Sequence, residues 1–293
     1  MTGAATGSAT MLETGRIVLL GAGGMISTAL SRLLGTRAVL VAKAACDVCD
    51  HALVTRLVDE TGPSAIFNCA AVTNVDRCER EPALAEAVNS DGVRHLAQVC
   101  RARAIPLVHY STDYVFDGSG AAPWREGDVR KPINVYGRTK AESEMVIEAV
   151  GAEHLVLRVQ WVFGDGRANF VGDTARRLRA GEEVRAFDDQ WGAPCFAGDI
   201  ARMTLDLFDG GHRGLFHLVN AGYATRVMVA EEIARILGVV SPRITPVKTC
   251  DVELPAARPE NSRLNTEKLL SVGVRPPAWQ DGVRRWLLAA GGP

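Results

Sequence analysis

The chain has 293 residues, 47% of them hydrophobic, and its 33 Lys and Arg nearly balance 34 Asp and Glu, for a formal net charge of -1 at pH 7. Such a chain can bury a sizeable core in one or two domains, and it carries no bulk field that would draw it to nucleic acid or an anionic membrane. Its longest apolar runs, such as Ile17 to Leu20 and Ala38 to Ala42, are strand-sized and fall well short of the roughly 20 residues of a membrane span, so no membrane partner is expected.

Residues 1–15 are rich in Gly, Ala and Thr and lack the basic start and apolar core of a secretory signal, which predicts a flexible leader. From there to residue 163, β-branched runs alternate with amphipathic ones. The pattern predicts strands at Arg16 to Leu20, Ala38 to Ala42, Ala65 to Cys69, Pro106 to Ser111 and His154 to Arg158, with helices near 25–34, 52–60, 84–104 and 135–150. That alternation is the signature of an α/β fold, a Rossmann-type doubly wound parallel sheet with crossover helices. Residues 164–293 read as a smaller substrate-binding region, some of whose segments could return to the sheet. Its expected pieces are a basic helix around Asn169 to Ala180, a helix over Ile200 to Phe208, short strands near Leu215 to Leu218 and Ile244 to Val247, and a last helix ending near Ala290. They would cap the carboxyl edge of the sheet, where open α/β sheets bind ligands.

The first strand runs into Gly21-Ala22-Gly23-Gly24-Met25-Ile26-Ser27 and then a helix start. Glycines let a backbone approach a pyrophosphate, and the first helical N–H groups, here at Met25 and Ile26, supply hydrogen bonds and a positive dipole end. Ser27 stands where the usual pattern has its third glycine. At the end of the second strand, where an acidic residue would hold a ribose 2′-hydroxyl, the chain has Lys43. The cation tilts the expectation towards NADPH, with NADH the alternative.

The fourth strand ends in Ser111-Thr112-Asp113-Tyr114, and some twenty residues on comes Tyr136-Gly137-Arg138-Thr139-Lys140. On a helix Tyr136 and Lys140 project from one face. Carbonyl reduction needs a proton donor at oxygen, yet a free tyrosine titrates only near about pH 10. A cation one turn away would stabilise the phenolate, and Thr112 would orient the carbonyl by hydrogen bonding.

The odd count of seven cysteines, several within apolar runs, points to reduced thiols and a cytoplasmic setting. Cys46 and Cys49 have the spacing of a metal or redox pair, but no second pair matches them, and the six histidines lack ligand spacing, so no metal site is expected. His109 reads as a core residue or as polar tuning of the neighbouring strand end. Arg176, Arg177 and Arg179 read as a solvated helix face.

The segments at 111–118 and 136–140 resemble the TDP-4-dehydrorhamnose reductase family of extended short-chain dehydrogenases. The similarity continues through Asn68-Cys-Ala-Ala71, Asn74-Val-Asp76, Arg158-Val-Gln-Trp-Val-Phe-Gly164, Asn169-Phe-Val171, Asp189-Gln190-Trp-Gly-Ala-Pro194 and Arg258-Pro-Glu-Asn-Ser-Arg-Leu264. The resemblance implies catalytic roles for Thr112, Tyr136 and Lys140. It implies a cofactor site of Gly21, Gly23, Gly24, Met25, Ile26, Lys43, Asp47, Ala70, Ala71, Tyr136 and Lys140. The substrate, a TDP-linked keto sugar, would lie near Val72, Thr112, Asp113, Tyr114, Trp161, Asn169 and Arg258. The chain departs from the family pattern at Ser27 and at Ser143, which stands where a Lys-x-x-Gly-Glu pattern has glycine. Arg167, Arg258 and Arg263 are candidates for the diphosphate because guanidinium forks match phosphate oxygens. A monomer or homodimer is expected.

Three other readings share the fold. The regulatory subunit of methionine adenosyltransferase resembles this family without catalysing reduction, but the retained hydroxyl, tyrosine and lysine argue against it. A nucleotide-sugar epimerase or dehydratase would keep its cofactor tightly bound, and a dehydratase would favour an Asp-Glu pair after the threonine where this chain has Asp113-Tyr114. A related keto sugar of antibiotic assembly, such as the dihydrostreptose precursor, would change only the substrate.

Overall fold

The centre of the molecule is a sheet of six parallel strands in the order β2-β1-β3-β4-β5-β9. The computed structural model describes residues 15–290, so the leader expected over 1–15 lies, but for residue 15, outside the described residues.

The first half runs β1 (Ile17–Leu20), α1 (Met25–Leu34), β2 (Ala38–Val41), α2 (His51–Thr61), β3 (Ala65–Asn68), α3 (Val75–Arg80), α4 (Pro82–Glu86) and, after a π-helical turn over Ala87–Asp91, α5 (Gly92–Arg103). It continues with β4 (Leu107–Thr112), α6 (Val135–Val150) and β5 (His154–Val159). Every residue of β1, β3 and β4 is buried, as befits parallel strands covered on both faces. Leu30, Phe67, Leu155 and Phe208 belong to the core on one face of the sheet, and Val54, Leu96, Ile147 and Val156 to that on the other. Asp50 caps α2 and Asn134 caps α6 through side-chain acceptors, so both helices begin where the sequence supplies an N-cap residue.

The second half runs β6 (Val162–Phe163), α7 (Phe170–Arg179), β7 (Val184–Phe187), β8 (Cys195–Phe196), α8 (Ala197–Asp209), β9 (Gly214–His217), α9 (Arg226–Leu237), β10 (Ile244–Val247), α10 (Glu267–Ser271) and α11 (Trp279–Ala290). It does not simply cap the sheet. β9 pairs parallel with β5 as the sixth strand, and Ile200, Leu207 and Phe208 of α8 join the same core as Leu30 of α1. The chain thus crosses to the smaller region after Phe163 and returns before residue 218. The small region has its own core, built from Phe163, Val171, Leu178, Ile233, Trp279 and Val283, with β7 and β10 paired parallel at its edge.

α9 is not among the elements expected from the sequence. Its signal was present: Thr225 accepts the Met228 amide as N-cap, Gly238 follows at φ 67°, and Val229, Ala230, Ile233 and Ala234 fall on one buried face.

Candidate active site

β1 is followed in the sheet by β2 on one side and β3 on the other, which opens a crevice at the carboxyl ends where the strand order switches. The glycine turn lies there. The amides of Gly21 and Ala22 donate to Val41 O at 3.1 and 3.2 Å, tying the turn to the end of β2. Gly21 has a φ of 82°, and a Cβ on it would sit 2.7 Å from the Ala70 amide nitrogen, so the turn can press against the end of β3 only as glycine. Ser27 is fully buried and donates to Gly21 O at 2.8 Å and Gly24 O at 3.0 Å. The departure from glycine therefore staples the loop instead of crowding it.

Gly24 begins α1 with no side-chain cap, and the first-turn amides of Met25 and Ile26 have no intrahelical acceptor. Ala70 donates its amide to Asn68 Oδ1 at 3.0 Å, which shapes the loop after β3 beside this turn. Lys43 stands past the end of β2, its side chain 71% exposed and its Nζ 3.4 Å from Asp47 Oδ2. Asp47 also accepts the Cys49 amide, and that bond chiefly holds its carboxyl below the usual range. A close-approach turn, an uncapped helix start and a cation at the end of β2 fit a dinucleotide pyrophosphate with a 2′-phosphate. The thiols of Cys46 and Cys49 are both free, and burial pushes them up, Cys49 to about 11, which disfavours thiolate chemistry.

Thr112 closes β4, and Tyr136 and Lys140 lie one turn apart on α6. Asn134 accepts the Gly137 amide at 2.8 Å to start that helix. A side chain at Gly137 would collide with the Tyr114 carbonyl, so the glycine lets α6 close on the 113–115 turn. Burial pushes the Tyr136 phenol well above its ordinary value, and hydrogen bonding with Thr112 is the largest influence opposing that rise. The phenol is held protonated, as an acid must be.

Lys140 is 1% exposed, and its Nζ sits 2.9 Å from His109 Nε2. Burial lowers the ammonium to about 7, although Glu144 acts in the other direction. The imidazole, itself kept neutral by burial and by Lys140, also meets Ser143 Oγ at 3.1 Å and Asn68 Nδ2 at 3.2 Å. His109 and Ser143, noted separately in the sequence, thus meet at Lys140. The expected lowering of the Tyr136 phenol by a cation one turn away is not what the folded chain shows: burial raises it, and Lys140 is bonded to His109, because a buried amine needs a hydrogen-bond partner and His109 is the group that β4 presents.

One turn further along α6, Glu144 ties the helix to the sheet. It accepts Ser111 Oγ at 2.5 Å, Arg158 Nε and Nη2 at 2.9 and 2.7 Å, and Arg130 Nε at 2.7 Å. Burial alone would raise its pKa, but the Arg158 fork, Ser111 and Arg130 bring it below the usual carboxylate range.

The substrate residues expected from the sequence fare differently. Val72 lies in the loop after β3, its amide 2.8 Å from Asn89 Oδ1, and Asn89 also reaches Thr139 on α6 at 3.2 Å. Asn89 comes from the π-helical turn, a feature frequent at functional sites that no residue spacing announces. Asp113 is buried and already engaged, accepting Thr112 Oγ1 at 2.8 Å and Gln160 Nε2 at 3.0 Å. It orients Thr112 rather than offering a free carboxylate to a sugar, and the Thr112 proton expected to face the carbonyl points to Asp113. Tyr114 packs edge-on to Tyr136 with ring centroids 5.9 Å apart.

Asn169 caps α7, accepting the Gly172 amide at 3.0 Å and donating to Gly164 O and Arg167 O at 3.0 and 3.1 Å. Arg258 pairs with Asp76 at 2.8 Å and donates to Ala256 O at 2.7 Å. Both amide and guanidinium are spent on the local fold. The flat face expected of Trp161 is covered by Arg226, a residue the sequence reading missed along with α9, whose guanidinium carbon lies 3.8 Å from the ring centroid.

The family model described as RmlD substrate binding domain matches residues 15–290. A dTDP-4-dehydrorhamnose reductase of Streptomyces griseus is 37% identical over 94% of this chain and 91% of that protein. A dTDP-4-keto-6-deoxy-D-glucose reductase of Streptomyces niveus is 36% identical over 94% of this chain and 95% of that protein. Among solved structures, the dTDP-4-dehydrorhamnose reductase of Bacillus anthracis in complex with NADP superposes with a TM-score of 0.90 at 29% identity, covering 94% of this chain and 99% of that one.

Proposed function

The chain belongs to the RmlD substrate binding domain family, and from that membership we propose that it is an NADPH-dependent reductase of the 4-keto group of a TDP-linked 6-deoxyhexose, TDP-4-dehydro-L-rhamnose in the first place. The observation that carries this reading is the hydrogen bond of Thr112, at the carboxyl end of β4, with a protonated Tyr136, with the buried Lys140 one turn further along α6 and the glycine turn across the strand-order switch.

When bound, the reduced nicotinamide supplies the hydride. Gly21 to Ile26 would hold its pyrophosphate, with Lys43 beside the adenosine ribose. The carbonyl carbon gains that hydride while its oxygen takes the Tyr136 proton, giving an alcohol and a tyrosinate. Lys140, one turn further along α6, would counter the tyrosinate charge as it forms. Asp113 fixes the Thr112 oxygen, and Thr112 in turn keeps the phenol at the strand end. Free cysteines, most of them buried, support a cytoplasmic setting. Among the described residues no helix is long and apolar enough to cross a membrane.

The test is NADPH oxidation by the purified chain while TDP-4-dehydro-L-rhamnose is generated in place, with the product identified by NMR. Formation of TDP-L-rhamnose is expected. The Streptomyces niveus relative favours a second substrate, dTDP-4-keto-6-deoxy-D-glucose, for the same machinery. Oxidation with neither sugar, by protein that binds NADPH, would sink the reading.

A further inference from the structure

Beside Trp161, the start of α9 holds a cation with no counter-ion among the described residues. Arg226 is the first residue of α9, after the Thr225 cap. Its guanidinium carbon lies 3.8 Å from the Trp161 ring centroid and 4.9 Å from that of Phe170. Trp161 is itself held in place: its backbone takes a φ of 41°, and a Cβ at Gly192 would stand 2.8 Å from an indole carbon. Thus the indole is pressed on the 192 backbone and the guanidinium on the indole.

Among the described residues Arg226 has no ion pair and no hydrogen bond to an oxygen. Ring contacts ease its charge but give its five N–H donors no protein acceptor among the described residues. Burial lowers its pKa to about 10. Gln160, the neighbour of Trp161 in the chain, donates to Asp113 Oδ2 at 3.0 Å, which joins this wall to the strand end at Thr112. Asp113 is no partner: its oxygens accept from Thr112 and Gln160, and it makes no ion pair with Arg226. Desolvating a guanidinium beside aromatic rings is unfavourable unless an anion completes it.

The arginines expected from the sequence to serve the diphosphate are otherwise engaged or displaced. Arg258 is paired with Asp76, and Arg263 donates to Asn261 Oδ1 at 2.8 Å and Ala121 O at 2.6 Å. Arg167 lies exposed on a surface pocket with Arg176 and Trp286.

We propose that Arg226 is the substrate-anion receptor of this chain: its guanidinium, seated on Trp161 and Phe170, binds the diphosphate of the nucleotide-linked sugar and so sets the distance between that group and the keto carbon at Tyr136. The proposal deepens the reductase reading and rests on it. Arginine suits the place because its fork meets two phosphate oxygens at once while its face stays on an aromatic ring, which a lysine ammonium does less well.

The test is calorimetric binding of thymidine 5′-diphosphate to the full chain carrying NADP+, with KM and kcat for the keto sugar measured alongside. Arg226→Met keeps the stem and should weaken diphosphate binding and raise KM by about 10- to 100-fold, while kcat and NADPH affinity stay within about threefold. Arg226→Lys restores the charge without the fork and should fall between the two. Wild-type affinity and KM in Arg226→Met, in a protein that still turns over, would overturn the proposal and leave the reductase reading standing. If Arg226→Met loses NADPH affinity as well, Arg226→Lys decides: binding equal to wild type overturns the proposal. A wild-type chain that neither binds the diphosphate nor oxidises NADPH would overturn both.

Discussion

The wall of the cleft formed by β4 and α6 and the wall formed by Trp161, Phe170 and Arg226 differ in how their polar groups are satisfied. On the first, Thr112, Lys140, Glu144 and Asp113 are each at most 4% exposed, and each has a protein partner. On the second, Trp161, Phe170 and Arg226 are all half-buried, and the cation rests on rings instead of carboxylates. Reaction geometry tolerates little movement, so it is set in a closed polar network packed into the core. Recognition of a charged ligand needs donors that are not already used, so it falls to side chains that the fold leaves incomplete.

That contrast can be broken at either wall. The largest effect should follow Tyr136→Phe, which removes the only proposed proton donor while leaving the packed ring: kcat should fall by about 10²- to 10⁴-fold, with NADPH affinity little changed. Single-turnover NADPH oxidation in a stopped-flow instrument measures it, and a rate near wild type would move the acid elsewhere.

Next comes Glu144→Gln, which leaves the fully buried Arg158 facing a neutral amide and should destabilise the fold by about 3–5 kcal/mol in urea unfolding. Because Glu144 titrates below its ordinary 4.5 in the folded chain, its contribution is present above pH 4.5 and is lost as pH falls through the lower folded value. The variant should therefore show a shallower loss of stability below pH 4.5 than the wild type. A variant of equal stability would mean that the network is ornamental to α6.

Arg226→Met, described above, comes next, with KM for the keto sugar raised by about 10- to 100-fold and the fold left intact. The smallest effect belongs to Lys43→Glu, at an exposed site outside both walls, where the loss should be about fivefold in KM for NADPH with little change for NADH. Equal shifts for both cofactors would detach Lys43 from a 2′-phosphate.

Much of the sheet half could be read in advance because its signals are local. The helix expected over 25–34 and that over 135–150 have those bounds in the structure, and each starts where the sequence places a glycine turn or an asparagine cap. The placement of Thr112, Tyr136 and Lys140 was legible for a similar reason: a one-turn spacing on a helix and a hydroxyl at a strand end are short-range patterns. Asn89, Gln160 and Arg226 were not legible, because each acts across a long sequence separation, as when Gln160 bridges Asp113 and the Ser262 carbonyl at 2.6 Å. Asn169 and Arg258 show the converse, for their residue types suggested ligands while the folded chain uses them as a helix cap and an ion-pair partner.

From the sequence alone came the α/β alternation, the glycine turn, the tyrosine and lysine one turn apart on a helix, and the resemblance that spans most of the chain. These depend on backbone geometry and on neighbours within a few residues, which the order of amino acids specifies directly. Only the tertiary structure decided that β9 returns to the sheet, that His109 receives Lys140, and that Arg226 rests on the rings of Trp161 and Phe170. A charged side chain can serve a ligand only if no nearer protein group claims it, and that competition is settled by which distant segments the packed core brings within hydrogen-bond reach.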